Sequence, residues 1–215
     1  MSMKRLVLFV LVAGLAVSLF AQTEVPEHSF AAGNWGFVGP RLYQNDAKAG
    51  LAKVNFKVPQ AGPMIYEFNA RYEDGVQDGH GGFGLHIFVD KAFNSASWGA
   101  GKSYLLWLNY DENPISKQIP AGLSGQIYRS VSNSRMELVE SVSLNEYLPY
   151  LSDENLSYPI SFKITADGDT GEIRIYDPTD PDTYFTFFVD KKELPLKGDW
   201  VALRTNGIKL SFALE

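Results

Sequence analysis

The chain predicts an all-β fold, a jelly-roll β-sandwich of two antiparallel sheets, and three observations lead there. Apolar and polar residues alternate with period two along many short segments, helical periodicity is scarce, and turn residues (Gly, Asn, Asp, Pro) separate the segments. Aromatics make up 13% of the 215 residues, 14 Phe and 11 Tyr among them. Such side chains suit a pleated, half-buried surface.

The first segment is not part of that sandwich. Lys4 and Arg5 precede an almost wholly apolar stretch, Leu6 to Phe20, and small residues follow, the order of a secretory signal. Residues 1–21 are therefore expected to be a signal peptide. Cleavage after Ala21 puts Leu19 at the −3 position, whereas cleavage after Ser18 gives Ala16-Val17-Ser18. About fifteen apolar residues fall short of the roughly 20 that span a bilayer, so no stable membrane anchor is expected. The expected location is periplasmic or extracellular. The chain has no cysteine, which excludes disulfides and a lipid-modified cysteine. Residues 22–215 are long enough to form a single domain on their own core.

Charge narrows the partners. Without Lys4 and Arg5, 17 of the 19 basic side chains face 25 acidic ones, a net charge of −8. Beyond Lys191-Lys192 there is no basic run. Nucleic acid and anionic lipid surfaces are poor partners for such a chain.

Strands follow from the alternation. Ala52, Val54, Phe56 and Val58 alternate with Lys53, Asn55 and Lys57, and Tyr66, Phe68, Ala70 and Tyr72 alternate with Glu67, Asn69, Arg71 and Glu73. Further strands are expected at 83–89, 104–110, 126–131, 136–142, 160–165, 172–176, 184–189, 200–205 and 209–214. Their shared alternation predicts a core of Phe68, Tyr72, Leu85, Ile87, Leu106, Phe162, Ile175, Phe187, Leu203 and Phe212. A short helix is expected only at Ser143 to Leu148, where Ser143 and Glu146 have capping-box spacing. About eleven short strands fit a sandwich or jelly roll and not a series of βαβ units.

The stretch Asp78-Gly79-His80-Gly81-Gly82-Phe83-Gly84 contains G-x-G-x-x-G, yet it leads into a strand pattern, Phe83 to Val89, where a dinucleotide loop needs a helix. The glycines read instead as turn and bulge positions. Asp74, Asp78 and His80 lie within seven residues, and calcium is the ion that such an oxygen-rich loop would take. No cofactor is required by anything else in the sequence. Asp167-Gly168-Asp169-Thr170-Gly171-Glu172 lacks the final calcium ligand and reads as a turn.

Catalytic pairs are not formed locally. Glu137 and Glu140 alternate to opposite faces, and Glu67 and Glu73 lie roughly 20 Å apart along one strand. A cross-strand pair, Glu67 with Glu137, stays open for a glycoside hydrolase. There is no G-x-S-x-G and only three His, with His28 expected in a flexible N-terminus.

The polar faces suggest binding. If 65–73, 83–89 and 104–110 share a sheet, its non-core face carries Glu67, Asn69, Arg71, His86, Phe88, Trp107 and Asn109. Such a face offers an aromatic platform for a pyranose, here Trp107, and polar groups for its hydroxyls. Trp98, in Trp98-Gly99-Ala100-Gly101, would overhang one end. The other reading of Phe88 and Trp107 is packing beneath a loop or second layer.

The segments "ISFKITADGDTGEIRIYD", "YFTFFVD" and "LKGDWVALRTNGIKLSFALE" resemble the closing strands of the concanavalin A-like lectin/glucanase superfamily, laminin-G-like jelly rolls included. Gly198, Val201, Leu203 and Phe212 occupy its closing positions, while "YEFNARYEDG" and "GGFGLHIFVD" resemble its paired early strands and "SYLLWLNYDEN" a central one. The resemblance implies the sandwich and covers most of the chain, but it is specific to fold and not to activity. The E-x-D-x-x-E strand of the glucanase branch is absent, so the resemblance points away from hydrolysis. Three functions follow in order of preference: an exported, non-catalytic glycan-binding protein; a structural protein of the envelope or a surface appendage, whose partner is another envelope protein; and a glycoside hydrolase.

Overall fold

A computed structural model describes residues 25–75, 80–146 and 157–214. The strands are β1 (His28–Ala32), β2 (Trp35–Val38), β3 (Arg41–Gln44), β4 (Ala52–Ala61), β5 (Pro63–Gly75), β6 (His80–Val89), β7 (Ser103–Asp111), β8 (Gly122–Ser130), β9 (Met136–Ser143), β10 (Ile160–Asp167), β11 (Glu172–Asp177), β12 (Asp180–Phe188), β13 (Lys197–Asn206) and β14 (Ile208–Leu214). One turn of 3₁₀ helix spans Lys191–Glu193. The strands form two antiparallel seven-stranded sheets: sheet I in the order β1-β4-β13-β6-β7-β8-β9, and sheet II in the order β12-β11-β10-β5-β14-β3-β2. This is the expected jelly-roll sandwich.

Period two sets which side chains meet. Ala52, Val54 and Phe56 of β4, Phe83, Leu85 and Ile87 of β6, Tyr104, Leu106 and Tyr110 of β7 and Leu203 of β13 point inward from sheet I. They face Tyr66, Phe68 and Ala70 of β5, Ile164, Ile173, Phe187, Leu210 and Phe212 from sheet II, in one continuous core. All ten expected core residues belong to it, Tyr72, Phe162 and Ile175 being only partly buried. Phe212 lies 6.4 Å from Phe68 and 5.9 Å from Phe83, ring centre to ring centre, so it joins the two sheets.

Four expectations are corrected. β5 lies in sheet II while β6 and β7 lie in sheet I. β5 pairs with β10 and β14, because its partners Phe162 and Leu210 bring matching apolar faces from the C-terminal half. His28 belongs to β1, paired opposite Phe56 of β4, and not to a flexible end. Ser143 closes β9 and Asn145-Glu146 form a turn; Asn145 Oδ1 accepts the Leu123 N–H at 2.7 Å, tying that turn to β8. The remainder of the expected helix from Tyr147 lies outside the described residues, as does the expected signal peptide.

The fourth correction concerns Phe88, expected on the outer face. Trp200 opposes Val89 and Ala202 opposes His86, so Ile87 and Phe88 together oppose Val201. That extra residue is a β-bulge, with Phe88 at φ 53°. Gln60 accepts the Phe88 N–H at 2.8 Å and the Tyr66 hydroxyl at 2.6 Å, which holds the bulge. The Phe88 ring therefore enters the core. Val89 turns outward to pack with Ala100, Ala202 and Trp200.

Candidate functional site

The seven sequence-predicted site residues divide between the two outer faces. Glu67, Asn69 and Arg71 alternate outward from β5 on sheet II. His86, Trp107 and Asn109 do so from β6 and β7 on sheet I, where Trp98 also lies. A single groove across all of them does not form.

On sheet II the outward groups pair with one another. Arg71 contacts Glu73 at 2.6 Å and Lys163 contacts Glu67 at 3.7 Å. Asn69 Oδ1 accepts from Arg41 at 2.7 Å, and Arg41 also donates to Ser211, whose hydroxyl donates to Glu73.

On sheet I the glycines receive their explanation. Gly82 and Gly84 are two apart on β6 and oppose Asn109 and Trp107 of β7. A Cβ at Gly82 would stand 2.8 Å from Trp107 Cζ2, and one at Gly84 2.8 Å from Trp107 Cε3. The indole thus lies flat across both glycines, which only residues without side chains permit. Its Nε1 donates to Asn109 Oδ1 at 2.9 Å. The Arg204 guanidinium of β13 sits 4.9 Å from the Trp107 ring and 4.7 Å from the Trp98 ring, a cation–π contact to each. Trp107 is 7% exposed, whereas Trp98 is 57% exposed. The aromatic surface open to solvent is therefore Trp98, and Trp107 supports it through Arg204.

Beside Arg204 on the ladder is Lys53 of β4. Lys53 is fully buried and donates from Nζ to Ser97 Oγ at 2.8 Å, Gly99 O at 3.1 Å and Ser97 O at 3.4 Å. Arg204 Nη1 donates to Trp98 O at 2.6 Å. The two cations thus hold the loop 90–102 over sheet I by its carbonyl oxygens. Burial, then the Arg204 charge, lowers the Lys53 pKa to about 8, and burial lowers that of Arg204 to about 10. His86, fully buried, is bonded at Nδ1 to Ser103 Oγ at 3.0 Å. Burial, Arg204 and Lys53 together hold it well below the usual histidine range, so its ring is neutral near pH 7. Along the same face Tyr128 OH donates to Gln126 Oε1 at 2.6 Å, and Gln126 Nε2 to Ser124 Oγ at 2.8 Å. The Ser141 hydroxyl donates to Gln118 O, which brings the loop 112–121 against β9. At the end of the sandwich, where loop 90–102 leaves β6, an open groove of about 630 Å³ is lined by Gln60, Met64, Asp90, Lys197 and Asp199 among others.

Sequence reasoning missed Arg204 and Lys53. Both alternate outward in plain strand patterns, and only the strand order β4-β13-β6-β7 brings them beside Trp107. Among the expected metal ligands, Asp78 lies outside the described residues, and Asp74 Oδ1 accepts the Gly75 N–H at 2.8 Å. His80 faces Asp111 at 3.2 Å. Among the described residues, no group of three or more His, Cys, Asp or Glu is placed to hold a metal ion. Glu67 and Glu137, the open catalytic pair, stand on different sheets. The turn reading of 167–172 holds, since Asp167 Oδ1 accepts the Asp169 N–H between β10 and β11. Gly81, Gly82 and Gly84, expected at a turn or bulge, instead lie inside β6 in unbroken register with β7, and Asp78-Gly79 lies outside the described residues.

No protein-family model matches this sequence, and no curated protein matches it. Solved structures do match. The carbohydrate-binding module CBM66 from Bacillus subtilis superposes with a TM-score of 0.53 at 13% identity, over 88% of this chain and 94% of that one. The fold is a concanavalin A-like jelly roll. Two other jelly rolls agree. The CBM2 module of the evolved Dit of Lactobacillus casei BL23 phage J-1 gives a TM-score of 0.52 at 14% identity, over 85% of this chain and 77% of that one. A galectin-like protein of unknown function from Bacillus subtilis gives 0.50 at 11% identity, over 90% of each chain.

Proposed function

We propose that this protein is an exported, non-catalytic glycan-binding jelly roll whose ligand lies on the outer face of sheet I, against Trp98. One observation carries the reading. An aromatic ring 57% open to solvent is held rigidly on a polar face by a buried guanidinium and a second indole. Sugar rings stack on such platforms, and the half-buried Asn109 and Tyr128 on the same face of sheet I carry polar groups that suit ring hydroxyls. The likeness to a module named as carbohydrate-binding supports the same reading. Export rests on the order of charges and apolar residues in 1–21. No cofactor is needed for binding of this kind, and a calcium ion at Asp74 and Asp78 would order the loop and not contact the sugar.

A glycan array on the mature protein, followed by calorimetry, tests it. Trp98→Ala is expected to weaken binding by about 1 kcal/mol or more, at least roughly fivefold, while Asn69→Ala on sheet II leaves affinity unchanged. Equal loss in both variants, or no glycan bound at millimolar concentration, would refute it.

A second reading, a subunit of an envelope assembly, has its own observation. The edge strand β12 exposes Tyr184 (44%), Phe185 (44%) and Phe188 (63%), and exposed apolar edge strands favour pairing with another chain. Concentration-dependent association in light scattering that is abolished by Phe188→Lys would favour this reading.

A further inference from the structure

Two cations stand side by side on the outer face of sheet I, Lys53 at 0% and Arg204 at 3% exposure, and among the described residues neither forms an ion pair with a carboxylate. Their oxygen partners are those of Ser97, Trp98 and Gly99, all on one loop, and Arg204 also reaches Met136 Sδ at 3.8 Å. Two nitrogens of the group, Arg204 Nε and His86 Nε2, are buried and have no hydrogen-bond partner. Buried charges are ordinarily paired, and an unbonded buried donor is a lasting penalty. Nothing apolar in the core depends on this arrangement, because the side chains point away from the inner face, next to a small cluster of Val89, Ala100 and Ala202.

We infer that Arg204 and Lys53 are the seat of an anionic group on the glycan, a uronate carboxylate or a sulfate ester, which takes the place of the Trp98 backbone carbonyl on Arg204. The inference rests on the glycan-binding reading and names its substrate class. A carboxylate or sulfate replacing the Trp98 carbonyl takes a charge-assisted, two-pronged bond from the guanidinium, stronger than the neutral bond it displaces. Lys53 adds a second positive charge one strand away. The formal net charge of −6 repels polyanions from the rest of the surface, so any acidic glycan that binds does so at a local site.

The test uses pairs of polymers with a common backbone: polygalacturonate against its methyl ester, and dextran sulfate against dextran. Calorimetry on the mature protein is expected to show at least a tenfold preference for one acidic member over its neutral partner. The first pair reads a carboxylate seat and the second a sulfate seat. Arg204→Gln is expected to abolish the preference, Arg204→Lys to keep part of it, and the exposed double variant Lys191→Gln/Lys192→Gln to leave it intact. Trp98→Ala removes a ring that is 57% exposed and leaves the Arg204 bond to the backbone carbonyl of residue 98 in place, so it keeps the measurement usable if the Arg204 variants do not fold. It is expected to weaken every ligand while preserving the ratio of acidic to neutral affinity. Neutral and acidic members binding equally would overturn the anion seat and leave the glycan reading standing. A preference lost in the Lys191/Lys192 variant, or a ratio reduced to one by Trp98→Ala, would also overturn it. Binding of neither member of either pair, with no neutral glycan bound on the array, would overturn both.

Discussion

The two outer faces of this sandwich treat charge in opposite ways. On sheet II three cations have a neighbouring carboxylate: Arg71 with Glu73, Lys163 with Glu67, Arg174 with Glu172. All of these pairs touch water, and such pairs contribute little to stability. On sheet I two cations are sealed beneath a loop among neutral oxygens, and Arg204 also lies against two indoles. The first face sets carboxylates beside its exposed cations, whereas the second buries two cations with no carboxylate to meet them.

The contrast can be broken most severely at Gly84. A Cβ there would meet the Leu106 carbonyl and the Trp107 ring, so Gly84→Ala is expected to destabilise the fold by about 3 kcal/mol. It should also move Trp107, Arg204 and Trp98 together, read as a shift in tryptophan fluorescence. Chemical denaturation with unchanged stability and spectrum would refute the stacking.

Lys53 sharpens the contrast through pH. Its pKa is near 8 in the folded protein and 10.5 in the unfolded chain. Below pH 8 both states are protonated, and the folded state bears a disfavoured buried charge. Between pH 8 and about 10 the folded protein releases the proton while the unfolded chain keeps it, so this group's contribution to stability rises with pH. Above about pH 10 the effect is opposed, because burial raises the pKa of Tyr66 and takes that of Tyr104 to about 12. Lys53→Met is therefore expected to stabilise the ligand-free protein at pH 7 by about 1–2 kcal/mol, with the gain shrinking by pH 10. Thermal unfolding across that range checks it, and a variant less stable than wild type at pH 7 would show that the three oxygen contacts outweigh the buried charge.

The smallest effect belongs to sheet II. Lys163 and Glu67 are each nearly half exposed and 3.7 Å apart, so Lys163→Ala should change stability by less than about 1 kcal/mol, and less still at high salt.

The sandwich was legible in the sequence because alternation with period two is a local property, and each strand carries its own record of inside and outside. Ten core positions were readable for that reason. The shortest strands, β1 to β3, escaped because four or five residues hold too few alternations to stand out. Phe88 was misread because a bulge breaks the alternation without leaving a mark of its own. The site was half legible: Trp98, Trp107, Asn109 and His86 come to one face. Glu67, Asn69 and Arg71 were assigned to it on the premise that consecutive strands are neighbours in a sheet, whereas in this jelly roll β5 and β6 belong to different layers. Arg204 comes from 97 residues beyond Trp107 in the chain, and no local pattern joins the two.

The bulge at Phe88 has a bearing on how such a protein diversifies. By turning Val89 outward it directs the departing chain across the face of sheet I, and the departure is closed like a clasp: Asp90 N–H donates to Lys102 O at 3.1 Å, and Lys102 N–H returns to Asp90 Oδ1 at 2.8 Å. Residues 91–101 therefore hang from a fixed pair of points, and their length and composition are free of the ladder's register. Substitutions and insertions in that segment would reshape the outer face of sheet I without touching the core between the two sheets, so the jelly roll carries an exchangeable loop on a scaffold that selection need not revisit.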